Sequence, residues 1–391
     1  VTLVSEGSVL LVTRSGILVH TLPVAITKLP VTINQDLKAL TPKTGVSAKY
    51  VAHAMRSASR RILDECSKHG TTVASIETNK LLDFEIPMVD FREQGRVVAE
   101  IEKQLSRLDE AVANLRRVKA NLKRYKAAIL KASVEGCLVP AEAELAMREG
   151  RSYETGAQLL QRILEARSSR WKGKTTYKEP VTVDRTALPQ LPDGWAWTTA
   201  EQISEFITKG TTPAAAKLSD GIGEIQFLKV YNLTFDGVLN QNHKPAFVSR
   251  ATHEGELARS MVHAGDVLIN IVGPPLGQVS IVPMDVREAN INQAIARFRP
   301  IFPLTSKYLA IVLMTDKIMR WAIRRAKTTA GQANLTLEHC RQLPIPLPPL
   351  VEQARIVAEV ERCFSVGDRL ERQVLADLAR AENIRRAVLR R

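Results

Sequence analysis

Apolar residues recur at alternating three- and four-residue steps between Phe91 and Ala132: Val98, Ile101, Leu105, Leu108, Val112, Leu115, Leu122 and Ile129, with Lys119 and Lys126 in the two remaining slots. This a/d heptad predicts a long helix that buries one narrow seam against another long helix. Asp90 and Glu93 form an Asp-x-x-Glu capping box, which puts the start at Phe91. Acids crowd the first half and bases the second, the polarity the helix dipole prefers. Roughly 40 residues at about 1.5 Å each make a rod of about 60 Å.

The pattern occurs twice. Glu93–Lys103 aligns without a gap on Glu352–Arg362, an offset of 259 residues (93 to 352), and the four mismatches are chemically mild. The second seam, within Leu350–Arg391, is poorer: Leu108 becomes Gly367 and Val112 becomes Glu371. Val357 and Val360 open it, and Leu370, Val374, Ala381, Ile384 and Val388 keep a looser stripe.

The repeat extends into globular sequence. Gly7–Thr13, Ile17–His20, Leu22–Ile26 and Val31–Asn34 read as short strands, and Ser47 caps a helix through Lys68 that His69-Gly70 stops. At an offset of 258, Gly265–Ile269 repeats Gly7–Leu11, Ile291-Asn292-Gln293 repeats Ile33-Asn34-Gln35, and Lys307-Tyr308 repeats Lys49-Tyr50. Ile345-Pro346 repeats Ile86-Pro87 at 259. Consistent register over so many segments marks a tandem repeat of very long period. The second globular unit starts near Leu191–Trp195, ahead of the point equivalent to Val1. The first rod runs on through Ser133–Val139, whereas the second stops at Arg391. With Val1 as the opening residue, both ends read as trimmed from a longer chain. Glu142–Arg148 and Ala157–Trp171 read as helices between the halves, followed by a polar, proline-punctuated linker from Lys172.

Composition adds a partner class. A formal charge of +14 and a pI near 9.7 favour a polyanion, and 45% apolar residues over 391 positions allow two or three cores. Cys66, Cys137, Cys340 and Cys363 lack CxxC pairing, which suits reduced thiols in a cytoplasmic protein. No apolar run reaches membrane-spanning length, and no secretory leader pattern opens the chain. The sequence contains no GxxxxGK[ST] loop, HExxH or GxGxxG after a strand, and its seven histidines are dispersed. Catalysis and metal binding therefore have little support. A basic helix from Lys307 to Lys327, carrying Arg320, Arg324 and Arg325, faces DNA backbone or solvent.

Ile345-Pro-Leu-Pro-Pro-Leu-Val-Glu-Gln353 opening a long helix resembles the proline-rich helix entry of type I restriction–modification specificity subunits. Gly331–Leu335 is similar to that family's polar loop ahead of this entry, Leu191–Trp195 to the start of its target recognition domains, and Ser152–Pro180 to its central connector. Met88-Val-Asp-Phe91 departs from the Pro-Pro entry. The resemblance implies an α+β (mixed α/β) fold with two target recognition domains separated by two long antiparallel coiled-coil helices. The expected domains are 1–88 (partial recognition domain), 89–140 (first spacer helix), 141–190 (connector), 191–345 (second recognition domain) and 346–391 (second spacer helix, truncated).

It also implies partners: double-stranded DNA, two modification subunits docked on the helices, and restriction/translocase subunits joined through the complex. S-adenosylmethionine, ATP and Mg would belong to those partners, and this chain would hold no cofactor. For DNA contacts the candidates are Lys209, Thr211, Thr212, Lys217, Arg250, Lys327, Thr329, Gln332, Asn334, Thr71 and Thr72. Lysine, hydroxyls and loop amides suit phosphates, and Gln332 and Asn334 suit adenine. The competing expectation is a coiled-coil adaptor that binds only proteins.

Overall fold

Val9–Val12 and Val267–Asn270 follow turns at Gly7 and Gly265, which adopt left-handed φ of 79° and 84°. Each run of β-branched and leucine residues becomes an inner strand of an antiparallel sheet. A computed structural model describes residues 3–68, 73–169, 176–186, 188–329 and 332–388, without the side chains of 327–329, 332 and 333. The chain divides into two compact units, Val1–Asn121 with Arg369–Arg391, and Leu122–Asp368.

Strand register carries the repeat at the atomic level. Val9 pairs with Leu40 and Val12 with Leu37 in the first unit; Val267 pairs with Phe298 and Asn270 with Ile295 in the second. Leu3 faces Thr32 as Met261 faces Asn290. Side-chain contacts recur as well. The Tyr50 hydroxyl donates to Pro87 O at 3.0 Å, and that of Tyr308 to Pro346 O at 2.7 Å. Gln94 donates to Val89 O and Gln353 to Pro348 O, both at 2.9 Å. Lys49 pairs with Glu102 at 2.8 Å and Lys307 with Glu361 at 2.5 Å.

Several local expectations are corrected. Ile17–His20 is not a strand but lies in a short 3-10 helix, Gly16–Val19, because the Ser15 hydroxyl accepts from Ile17 N at 3.3 Å and caps a turn. Leu37–Leu40 (Leu-Lys-Ala-Leu) is a strand that the sequence reading did not announce; it forms by pairing with Val9–Val12. The helix expected from Ser47 to Lys68 is two, Ala48–Ser57 and Ser59–Cys66, followed by a strand at Ser67–Lys68. Its counterpart from Lys307 is also two, Ser306–Leu313 and Asp316–Arg325. The break falls at Thr315, whose backbone is extended and whose hydroxyl donates to Val312 O at 2.7 Å. The connector helix spans Gly156–Ser169.

The first long helix is Phe91–Glu135, with Glu93 N donating to Asp90 Oδ1 at 2.9 Å. It does not run on to Val139, since Gly136 turns left-handed with φ of 71°. Val98 and Leu122 are buried, and Ile101, Leu105, Leu108, Val112 and Leu115 half-buried; Lys119, expected in the seam, is exposed. In the second helix, Leu350–Val388, the residues at the same repeat positions turn inward: Val357, Val360, Gly367, Val374 and Ala381 are buried and Val388 half-buried. Leu370 and Ile384, expected in the stripe, are 48% and 45% exposed because they sit one step off that register.

The helices pair antiparallel. In the second unit Lys126 reaches Asp368 at 2.6 Å and lies 5.8 Å from the Phe364 ring, its stem passing over Gly367, while Leu130 and Val134 share a core with Val357 and Val360. In the first unit Ile101 and Gln104 line a groove with Ile384 and Val388, and Asp109 pairs with Arg385.

Among the described residues, only the second unit contains a strand against its proline-rich entry. Pro344–Leu347 pairs with Ala196–Thr199, and Leu347 is fully buried, whereas its counterpart Met88 is 50% exposed. Beneath that strand pair, buried Glu352 accepts from Trp195 Nε1 at 3.0 Å and Glu142 N at 2.9 Å. Burial holds the Glu352 carboxyl above its ordinary value. Burial also opposes the charge of Glu142, but Arg151 at 2.5 Å and Arg355 at 2.7 Å outweigh it and hold that carboxyl low.

A carboxyl depressed in the fold stabilises above its unfolded value of about 4.3, and the effect is lost as pH falls through the folded value. Glu142→Gln should therefore cost roughly 1–3 kcal/mol at pH 7 and flatten the loss of stability towards acid. Urea unfolding of the full chain at neutral and acid pH checks this. An acid slope unchanged by the substitution would rule out the charge of Glu142 as its source.

Candidate nucleic-acid interface

In the second unit a four-stranded antiparallel sheet runs in the order Val279–Ile281, Val267–Asn270, Ile295–Pro300, Ser204–Lys209. Asn270 faces Ile295 and Ala296 faces Lys209, so two strand carboxyl ends and one amino end share an edge. Three loops leave from that edge: Gly210–Pro213, Ile271–Gln278 and the turn Asn292–Ile295. A hairpin, Lys327–Thr329 with Gln332–Asn334, joins them because Asn334 pairs with Val272 and Ala333 with Gly273.

The loops are braced by backbone hydrogen bonds. Gly210 N donates to Ile295 O at 3.1 Å, Thr211 N to Ile291 O at 3.2 Å, and Ile271 N to Ala294 O at 2.8 Å. The Asn270 side chain accepts from Gln278 N at 2.9 Å and donates to Pro275 O at 2.7 Å. Asn292 N donates to Leu228 O at 3.0 Å, which brings Lys229 to the same edge. The buried Oδ1 of Asn292 has no hydrogen-bond partner among the described residues.

A buried charge cluster stiffens the sheet. Asp266, 1% exposed, accepts two hydrogen bonds of 2.7 Å from Arg299 and lies 3.9 Å from Arg297. Both guanidinium groups stack on Phe206, at 4.6 and 4.7 Å. Burial pushes Arg297 down to about 10, so it remains charged at pH 7; the bond to Asp266 raises Arg299. The first unit has Ser8, Ala39 and Thr41 at these positions, with Ser8 Oγ and Thr41 Oγ1 3.1 Å apart. One repeat position thus holds either a buried ion cluster or a neutral hydroxyl pair.

The candidates separate accordingly. Lys209, Thr211 and Thr212 are exposed on the shared edge, and Thr212 Oγ1 faces Gln293 N at 3.5 Å. Asn334 is half-buried at the base of the hairpin. Lys327, Thr329 and Gln332 lie in its strands, with their side chains outside the described residues, as are Thr71 and Thr72 entirely. Lys217 and Arg250 are engaged elsewhere: Lys217 pairs with Glu256 at 2.6 Å, and Arg250 with Glu254 at 3.4 Å and Glu288 at 3.3 Å.

Sequence reasoning missed a cation–aromatic group beside this edge. Lys229 and Lys244 each approach the Tyr231 ring to 5.9 Å, and His243 meets it edge-on at 5.7 Å. Buried Asn232 ties the segment together by donating to Asn240 O at 3.0 Å and His243 O at 2.8 Å. Interleaved Lys and Tyr in Lys229-Val-Tyr231 was the available signal.

Exposed lysines, hydroxyls and amides on a rigid edge suit phosphate positioning and base-edge contacts. Among the described residues no group of three His, Cys, Asp or Glu could hold a metal ion, and no helix is long and apolar enough to cross a membrane.

Residues 192–380 match the family model of the type I restriction modification DNA specificity domain. The type I restriction enzyme EcoBI specificity subunit of Escherichia coli is 24% identical over 324 residues, 81% of this chain and 59% of that protein. The EcoR124I/EcoR124II specificity subunit of Escherichia coli is 41% identical over 101 residues, 26% of this chain and 25% of that protein. The chain therefore spans less than two thirds of the length of either relative. Among solved structures, a chain of a type I R-M system, in work on its complex assembly and conformational transition, superposes with a TM-score of 0.68 at 18% identity, covering 99% of this chain and 82% of that one. The HsdS subunit from Thermoanaerobacter tengcongensis gives 0.54 at 17% identity, covering 99% and 80%. At these identities the structural likeness is one of fold.

Proposed function

We propose, from the premise that residues 192–380 form a type I restriction modification DNA specificity domain, that this chain is a DNA-recognition subunit without catalytic activity of its own. Each unit reads one half of a bipartite duplex target. The two long helices dock two modification subunits, set the distance between half-sites, and bring restriction/translocase subunits in through the complex. S-adenosylmethionine, ATP and Mg act on those partner subunits, in the cytoplasm. The observation that carries this reading is the repeated edge. The same strand register ends in the same Asn-Gln turn in both units, and in the second unit exposed Lys209, Thr211 and Thr212 stand beside it. A protein-binding adaptor has no use for two such edges on a chain of charge +14.

The helices provide the test. Four residues inserted after Lys119 add about 6 Å and overshoot one turn by about 40°, so the seam stays nearly in phase. At about 3.4 Å per base pair, the preferred gap between half-sites should grow by one or two base pairs. Methylation protection by the assembled complex, on targets that differ only in spacer length, reads this out. Affinity should also fall steeply with salt as phosphate contacts release counterions. A folded insertion variant that keeps the original spacing would remove the helices as the ruler.

A further inference from the structure

The repeat preserves an Asn-Gln pair at one turn, and its backbone requires only the first of the two side chains. Asn34–Leu37 and Asn292–Ile295 are equivalent four-residue turns, closed by Leu37 N to Asn34 O at 3.3 Å and Ile295 N to Asn292 O at 3.1 Å. Each is tied to the neighbouring strand in the same way, by Thr13 N to Asp36 O and Ile271 N to Ala294 O, both at 2.8 Å. Asparagine in first place has a structural reason, because turns favour it there. In the first unit it acts accordingly: Asn34 Oδ1 accepts from Asp36 N at 3.1 Å.

Glutamine in second place has no such reason, since it is not among the residues that turns select. Gln35 and Gln293 nevertheless occupy it in both copies, although the following residue differs, Asp36 against Ala294. Both are exposed, and neither side-chain amide has a hydrogen-bond partner among the described residues. Gln293 is held from below through its backbone, which faces Thr212 Oγ1 at 3.5 Å, beside the loop whose hydroxyls suit phosphate. An amide at a turn tip, fixed by backbone on both sides, projects from a rigid base. Its carbonyl and NH2 together match N6 and N7 of adenine in the major groove.

We propose that Gln35 and Gln293 are paired base-reading residues, one for each half of the target, each directed at an adenine. The proposal rests on the DNA-recognition reading and names the side chains that carry its specificity. It also makes Gln332 and Asn334 secondary to the turn. The complex with modification subunits is to be presented with a duplex library randomised in both half-sites, and the bound fraction sequenced. Gln293→Ala should lower the preference for one A·T pair in one half-site by roughly 5- to 150-fold, leaving the other half-site unchanged. Gln35→Ala should do the same in the other half-site.

Gln293→Glu should move the preference at that position towards cytosine, whose N4 amino group a carboxylate accepts. Both positions are exposed, so melting temperatures should stay close to that of the unsubstituted chain. A loss equal over all sequences would make these residues phosphate-positioning groups and overturn the proposal. So would two alanine variants that alter the same half-site, or unchanged selection. An unsubstituted complex that enriches no sequence would overturn the DNA-recognition reading itself, and the proposal with it.

Discussion

Replacing Asp266 with alanine should destabilise the second unit by roughly 3–5 kcal/mol, the range for breaking a buried pair by removing one partner. Asp266 is almost fully buried, takes both bonds of Arg299, and accepts from His263 N at 2.9 Å. Its removal leaves Arg297, with a side chain only 8% exposed, buried beside a second guanidinium. Both would still be charged at pH 7. The first unit supplies a remedy, because the same repeat positions there hold Ser8, Ala39 and Thr41.

The triple substitution Asp266→Ser, Arg297→Ala, Arg299→Thr should therefore recover much of the loss, by removing the charges together. Phe206 loses its stacking partners in that variant, so recovery should be incomplete. Urea unfolding of the three proteins decides the matter. A single variant that loses under about 1 kcal/mol, or a triple variant less stable than the single, would contradict the account of a mutually dependent charge cluster.

Gly210→Ala should disconnect the loop that carries Thr211 and Thr212. A methyl group there would lie 1.9 Å from Ile291 O and 2.3 Å from Asn292 O, both backbone atoms, the first at the end of the strand that leads into the turn and the second in the turn itself. Neither can rotate away, so the loop must lift and give up its bonds to Ile295 O and Ile291 O. Overpacking of this kind costs about 1–3 kcal/mol. Because the turn that presents Gln293 is braced by the same loop, sequence preference in one half-site should weaken with it. Hydrogen exchange at the amides of Gly210 and Thr211 reports the detachment directly. Protection equal to that of the parent chain would show that the turn can yield, and that this glycine was chosen for something other than space.

The two substitutions act on different layers of the second unit. Asp266 is buried at the start of the strand Val267–Asn270 and should alter unfolding before it alters recognition. Gly210 lies at the rim, where it should alter recognition more than global stability. Both depend on the non-local pairing of Ser204–Lys209 with Ile295–Pro300, so neither is visible from local sequence.

That contrast marks the division between sequence and structure here. The heptad over Val98–Leu122, the start at Phe91 and the tandem repeat were legible in the sequence, because they rest on local periodicity, caps and identity at a constant offset. The weak strand Leu37–Leu40, the helix breaks at Ala58 and Thr315, and the exposure of Leu370 and Ile384 were not. The strand and the exposed pair depend on what a distant segment offers: Val9–Val12 for the strand, and the register of the helix pair for the two leucine-type positions. The break at Thr315 goes with a local hydroxyl bond to Val312 O that periodicity does not record. The basic residues show the same limit. Lys209, Lys217 and Arg250 are alike as sequence, yet Lys217 and Arg250 are drawn to Glu256, Glu254 and Glu288, while Lys209 stands at the shared edge. Periodicity and repetition are properties of the chain taken alone. Which charge is paired and which amide is left unpartnered is decided only when strands far apart in sequence are brought within hydrogen-bonding distance.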